Sequence, residues 1–191
     1  MKPPLHIIYL SGFGMNYDKL RRRLLGQWHF RGVSVELVAM QWEGEETFEQ
    51  KLARIDRAID KEAGKRIVLL GESAGGSMAV HMYARRPGDV YRAVTLCGKN
   101  SHPETVGENY YRRSPAFRGS MGQLNKSINA LSDEQRRHFV SIHPLYDPVV
   151  PVRETLLPGC ARVRLPSVGH FFTIVLGLSV LRRVVLRAVR E

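Results

Sequence analysis

The sequence predicts an α/β fold: a mostly parallel central sheet of about six strands with helices on both faces. Three observations carry that expectation. Short apolar, β-branched runs alternate along the chain with stretches of helical period, the habit of a sheet covered on both sides. A Gly-x-Ser-x-Gly pentapeptide, Gly71-Glu72-Ser73-Ala74-Gly75, directly follows the buried-strand run Ile67-Val68-Leu69-Leu70 and opens a helix-like stretch. With 191 residues, 43% of them hydrophobic and 25% charged, the chain is large enough for one domain built on a single core.

Each element has a local reason. His6 to Leu10 reads as a first strand ending at the Gly-rich turn Ser11-Gly12-Phe13-Gly14, and Asn16 is placed to cap a helix from near Tyr17 past Leu20, Leu24 and Leu25. Val33 to Val38 is a second strand. Thr47-x-x-Gln50 has capping-box form, and Phe48, Leu52, Ile55 and Ile59 then fall at helical spacing to about Ala63. Arg66 to Leu70 is the central strand. The helix after it, Ala74 to Arg86, starts with small residues and is stopped by Pro87. Val90 to Leu96 is the next strand.

Residues 98–131 lose periodicity and gain Gly, Ser, Asn, Pro and Tyr, so they read as an irregular, cap-like insertion in the single domain 1–191. Ser132-x-x-Gln135 caps a short helical turn. Phe139 to His143 and Ala161 to Leu165 are two further strands, and one helix from about Phe171 to Arg190 closes the chain.

Composition narrows the function. No stretch approaches the roughly 20 apolar residues of a membrane span, and no signal-peptide core follows Met1-Lys2-Pro3-Pro4, so a cytoplasmic location is expected. Cys97 and Cys160 lack a metal-binding spacing and read as free thiols, with no metal expected. The formal charge of +11 comes from 22 Arg and 7 Lys against 18 carboxylates. The Arg pairs are scattered and no nucleic-acid-binding signature accompanies them, so nucleic acid is not an expected partner and a general solvated surface is expected, one open to anionic substrates or partners. A basic membrane-surface module built on Arg182, Arg183, Arg187 and Arg190 yields to a last helix packing its apolar face on the sheet.

The pentapeptide carries the chemistry. A sharp strand-to-helix turn needs glycine on both sides of the serine and leaves the hydroxyl at the carboxyl end of the strand. Free N–H groups at the start of the following helix suit a developing oxyanion. A serine hydroxyl is a weak nucleophile until a base removes its proton, so a histidine must lie within reach.

In these motifs and their order the chain resembles a small α/β-hydrolase over nearly its whole length. The resemblance implies a nucleophile–acid–histidine order, each following a strand. Ser73 is then the nucleophile. His170 in Ser167-Val168-Gly169-His170-Phe171-Phe172 is the base, with His143 a distant rival and the other five histidines surface or core residues. Asp147 in Asp147-Pro148-Val149-Val150-Pro151 is the acid, ahead of Asp89, Asp133 and Glu154. The oxyanion hole would combine the backbone N–H groups of Ala74 and Phe13, the latter in a turn similar to the family's His-Gly-x-Gly, with Ser11 where many relatives have histidine. On this alignment the family's first two strands are absent.

The activity so implied is a serine esterase working through an acyl-enzyme, without metal or organic cofactor, on a small-molecule ester. A thioesterase acting on an acyl carrier shares every catalytic residue, and a non-catalytic binding protein on the same fold is the alternative of another class. Met15 and Trp42, after the first two strands, are candidate substrate-binding residues and equally candidate core. Tyr110, Tyr111, Arg112, Arg113, Phe117 and Met121 in the insertion either cover the site or form an ordinary solvated loop.

Overall fold

The computed structural model describes residues 3–191. Six strands, β1 (Leu5–Leu10), β2 (Val33–Val38), β3 (Arg66–Glu72), β4 (Val90–Leu96), β5 (Val140–His143) and β6 (Ala161–Arg164), form one sheet in the order β2-β1-β3-β4-β5-β6. Every neighbouring pair is parallel. β1 and β3 are buried almost throughout, as central strands with helices on both faces must be. Winding reverses at β1, which has β2 on one side and β3 on the other. The carboxyl ends of β1 and β3 therefore flank a crevice, the usual ligand position in open α/β sheets.

Alternation along β1 divides the core. Ile8 and Leu10 pack with α2 (Phe48–Lys61), α3 (Gly75–Arg85) and α5 (Pro115–Ala130). Ile7 and Tyr9 face α1 (Asp18–Leu25), α7 (His170–Leu178) and α8 (Arg182–Arg190). Two short helices, α4 (Glu108–Arg113) and α6 (Asp133–His138), complete the set with 3₁₀ turns at Met15–Tyr17, Pro103–Thr105 and Val152–Thr155. Both expected capping boxes are present, Thr47 with Gln50 and Ser132 with Gln135.

Three local expectations change. Asn16 does not cap α1: the 3₁₀ turn intervenes after Gly14, whose φ of 86° redirects the chain, and the N-cap position falls on Tyr17. The stretch 98–131 is not irregular. It holds the 16-residue α5, whose Phe117, Met121, Leu124 and Ile128 are buried at helical spacing. The closing helix is two helices. A straight helix of 20 residues would run about 30 Å, past a sheet whose strands of six or seven residues reach only about 20 Å. Leu181 N–H turns back onto the Leu176 carbonyl at 2.8 Å, and α8 then lays Val185 and Val189 into the core.

Candidate active site

β3 delivers Ser73 at a tight turn into α3. Ser73 has φ 51°, the left-handed region that a side chain adopts only under constraint. The constraint is visible on both sides of it: Ser73 N–H donates to Leu96 O, and Lys99 N–H donates to Ser73 O at 2.8 Å. A Cβ on Gly75 would stand 2.1 Å from Leu10 O, and one on Gly71 would stand 2.5 Å from Gly75 O, so only glycine fits there.

The loops after β5 and β6 are knit into an extension of the sheet. Leu145 N–H donates to Ser167 O, Gly169 N–H donates to Tyr146 O, and Tyr146 bridges Val168. This pairing sets Asp147 beside His170, the first residue of α7. His170 Nδ1 lies 2.7 Å from Asp147 Oδ2, and its Nε2 lies 2.8 Å from Ser73 Oγ. An ionised carboxylate only accepts, so Nδ1 carries the proton toward Asp147 and Nε2 accepts from the serine hydroxyl. Asp147 Oδ1 takes the N–H groups of Val149 and Val150, both at 2.9 Å. Burial works to raise the Asp147 carboxyl, but the His170 hydrogen bond and charge and those two N–H groups hold it below its ordinary value. His143 is occupied elsewhere, its Nδ1 against Pro144 O.

The turn after β1 presses on the serine: a Cβ on Gly12 would lie 2.7 Å from Ser73 Cβ. Neither the Phe13 nor the Ala74 N–H has a hydrogen-bond acceptor among the described residues. Ser11, buried, uses its hydroxyl to accept from Met40 N–H, while its carbonyl accepts from Trp42 Nε1.

Arg21 fixes the rest of the turn. Its guanidinium donates to Phe13 O and Gly14 O, each at 2.9 Å, and to both carboxylate oxygens of Glu72, at 2.9 and 2.6 Å. Glu72 also accepts from the Tyr9 hydroxyl. Burial, then the Glu72 charge, raises the Tyr9 phenol well above its usual value. Arg21 and Glu72, 5% and 3% exposed, thus tie the serine turn to the turn that carries Phe13. Sequence reasoning missed this pair; Glu72 lies inside the Ser73 motif, but its partner is 51 residues away.

A cavity of about 80 Å³ opens beside Ser73, walled by Phe13, Val106, Tyr110, Phe117, Val149 and Val150. It is well below the roughly 300–1,000 Å³ of pockets that enclose drug-sized ligands. Its polar end is the buried Lys99–Glu154 pair, with Lys99 Nζ also donating to His102 O and Thr105 Oγ1. Burial lowers the Lys99 ammonium, against the pull of Glu154. The two candidate substrate residues do not line this cavity. Trp42 is fully buried behind it, its ring 5.8 Å from Phe13 and 5.3 Å from Phe117. Met15 is exposed on the 3₁₀ turn. Cys97, Asp147 and His170 each offer a metal-ligand atom within 4.8 Å of the others. There the imidazole and carboxylate already bond each other, and burial, then Asp147, keeps Cys97 a protonated thiol. No helix of the described residues is long and apolar enough to cross a membrane.

No family model and no curated protein matches the chain in sequence. Solved structures do match in shape. A structure described with LipS and LipT, two metagenome-derived lipolytic enzymes, shares 14% identity at a TM-score of 0.72, covering all of this chain and 95% of that one. MGS-MChE2, an alpha/beta hydrolase enzyme from a sediment metagenome of the lagoon of Mar Chica, Morocco, shares 16% at 0.65, covering 97% and 90%. The thioesterase domain from the curacin biosynthetic pathway shares 13% at 0.61, covering 96% and 91%. Such low identities speak for architecture, and with the all-parallel sheet and the strand–Ser73–helix turn they give this chain the α/β-hydrolase fold.

Proposed function

We propose that the protein is a serine hydrolase that cleaves carboxylic esters through an acyl-enzyme. The observation that carries this reading is the unbroken hydrogen-bond chain Ser73–His170–Asp147 beside two N–H groups that lack acceptors. Ser73 Oγ attacks the ester carbonyl carbon while His170 Nε2 takes its proton. The carbonyl oxygen becomes an oxyanion held by the Phe13 and Ala74 N–H groups, a donor arrangement worth about 10²–10³ in rate per group. Collapse breaks the carbon–oxygen bond, and His170 returns the proton to the departing alcohol. Water then repeats the cycle, releasing the acid and free Ser73. Asp147 keeps the imidazole in the tautomer that leaves Nε2 open and stabilises its cationic form.

The small apolar cavity suits a short acyl group. The likeness to a thioesterase domain keeps a thioester substrate as the second reading, since the same residues serve both leaving groups.

The test is hydrolysis of a p-nitrophenyl series from acetate to dodecanoate, with fluorophosphonate labelling. Turnover should peak at the shortest acyl chains, and Ser73→Ala should abolish turnover and labelling together. Asp147→Asn should lower kcat by about 10⁴, the penalty of a mis-set tautomer. Short acyl-CoA thioesters hydrolysed with higher kcat/KM than the matching esters would favour the second reading. Folded wild type that neither turns over nor labels would reject both and leave a binding protein.

A further inference from the structure

Nine of the twelve large apolar side chains exposed among the described residues lie in loops, short helical turns or first helix turns that follow strand carboxyl ends, the end of the sheet that carries Ser73. Six of them form the rim on the His170 side: Tyr17, Leu145, Tyr146, Val168, Phe171 and Phe172, each between 47% and 62% exposed. The rim falls into two linked groups. The Tyr17 and Phe171 rings meet at 4.8 Å, Tyr146 bridges Val168, and the remaining members are their chain neighbours. Tyr17 is followed by Asp18 and the exposed Lys19, but the two segments that supply the other five members carry little charge. From Pro144 to Val152 and from Pro166 to Leu181 there is no Lys, Arg or Glu, and the single Asp is Asp147, 3% exposed. Covering the part of the rim drawn from these two segments would therefore desolvate no Lys, Arg or Glu side chain. Six exposed apolar side chains at the Ser73 end of a protein of charge +11 are a candidate interaction surface.

We propose that the rim docks the protein on an anionic lipid–water interface, with Ser73 facing the lipid. This rests on the ester-hydrolase reading for its purpose, because docking would bring the serine to the phase in which apolar esters collect. Charge selects the occupant. A second copy would bring another +11 against the first, whereas an anionic surface attracts the whole basic field. The strip also suits a fluid apolar phase better than a fixed protein partner. It presents aromatic and aliphatic surface whose polar side-chain atoms are essentially the Tyr17 and Tyr146 hydroxyls, the amphipathic ring type that settles at headgroup depth.

The experiment is co-sedimentation of the full chain with phosphatidylcholine vesicles, with and without phosphatidylserine, at low and high salt. Wild type should bind the anionic vesicles at least tenfold more tightly than the neutral ones. Leu145→Ser and Phe172→Ser, on separate loops, should each weaken that binding severalfold while hydrolysis of soluble p-nitrophenyl acetate stays unchanged. Val180→Ser serves as the control. Val180 is 75% exposed but lies beyond Leu178, whose carbonyl accepts from Trp28 Nε1 ahead of β2, so it sits away from the Ser73 end and should bind as wild type. Ser73→Ala should also bind as wild type; docking by a chain that never hydrolyses esters would keep this proposal and remove the hydrolase reading.

Wild type that stays in the supernatant with both vesicle types would overturn docking. So would binding untouched by both rim substitutions, which is adsorption by charge alone. A dimer in solution that Leu145→Ser or Phe172→Ser dissociates would assign the rim to a second copy instead. Capture of a defined acidic protein through the rim, with no vesicle binding, would assign it to that partner.

Discussion

Replacing Arg21 with methionine keeps most of the aliphatic stem and removes five donor contacts: two to Glu72, one each to Phe13 O, Gly14 O and Asp18. Glu72, 3% exposed, is left with the Tyr9 hydroxyl as its remaining side-chain partner. Removing one member of a buried ion pair costs about 3–5 kcal/mol because the other charge stays buried. For a domain of this size each kcal/mol moves the melting temperature by about 2–4 °C, so the variant should melt roughly 6–20 °C lower. Adding Glu72→Met removes the stranded carboxylate, and the double variant should regain most of the loss, since apolar replacement of a whole buried pair is often close to neutral.

Catalysis should part company with stability in the same cycle. Arg21 also holds the Phe13 and Gly14 carbonyls, so both variants lose the anchor of the turn that presents the Phe13 N–H. A kcat reduced by about 10²–10³ with little change in KM is expected in the single and in the double variant, the cost of one misplaced oxyanion donor. Urea and thermal unfolding followed by circular dichroism give the stability cycle, and p-nitrophenyl acetate gives the rates. A single variant melting within 2 °C of wild type, or a double variant no more stable than the single, would refute the buried-pair argument. A double variant with restored kcat would refute the positioning argument alone.

Two further outcomes follow from single contacts. Gly12→Ala forces a Cβ to within 2.7 Å of Ser73 Cβ and 3.0 Å of Glu72 Oε1, so the turn or the serine must move; kcat should fall about 10²-fold, as for a misplacement on the ångström scale, and an unchanged fluorophosphonate labelling rate would count against it. His81 is pushed down to about 4 by burial, against a hydrogen bond to the Ser120 carbonyl. Its unfolded value is 6.5. The unfolded chain thus takes the proton first on acidification, and stability should drop by about 3 kcal/mol between pH 6.5 and 4. Urea midpoints at pH 7 and pH 4.5 test this, and the same loss in His81→Gln would assign it to other groups.

Legibility followed the range of the interactions. Thr47 and Ser132 cap their helices with residues three positions on, so four letters of sequence contain the whole device. Ser73 is similar, since its turn is dictated by glycines two positions to either side. α5 was obscured by Gly119, Ser120 and Gly122, poor helix formers, of which Gly119 and Ser120 lie where the helix meets its neighbours while Gly122 is exposed. A Cβ on Gly119 would lie 3.1 Å from Phe48 Cβ, and Ser120 Oγ meets Ser77 Oγ at 2.8 Å. The apolar spacing Phe117, Met121, Leu124, Ile128 was the signal that could have found it.

The sequence by itself determined the alternation of strands and helices and the serine turn, because each is written in neighbouring residues, while the choice of Asp147 and His170 came through the resemblance to the α/β-hydrolases. Tertiary structure decided what depends on distance in space. It folded the closing stretch into two helices to fit the length of the sheet, set Trp42 behind the cavity wall and Met15 outside it, and paired Arg21 with Glu72. It also brought exposed apolar side chains that follow several different strands to the same end of the sheet as Ser73. Parallel topology is the physical reason: it sends every strand's carboxyl end to the same side, so segments far apart in the chain converge there.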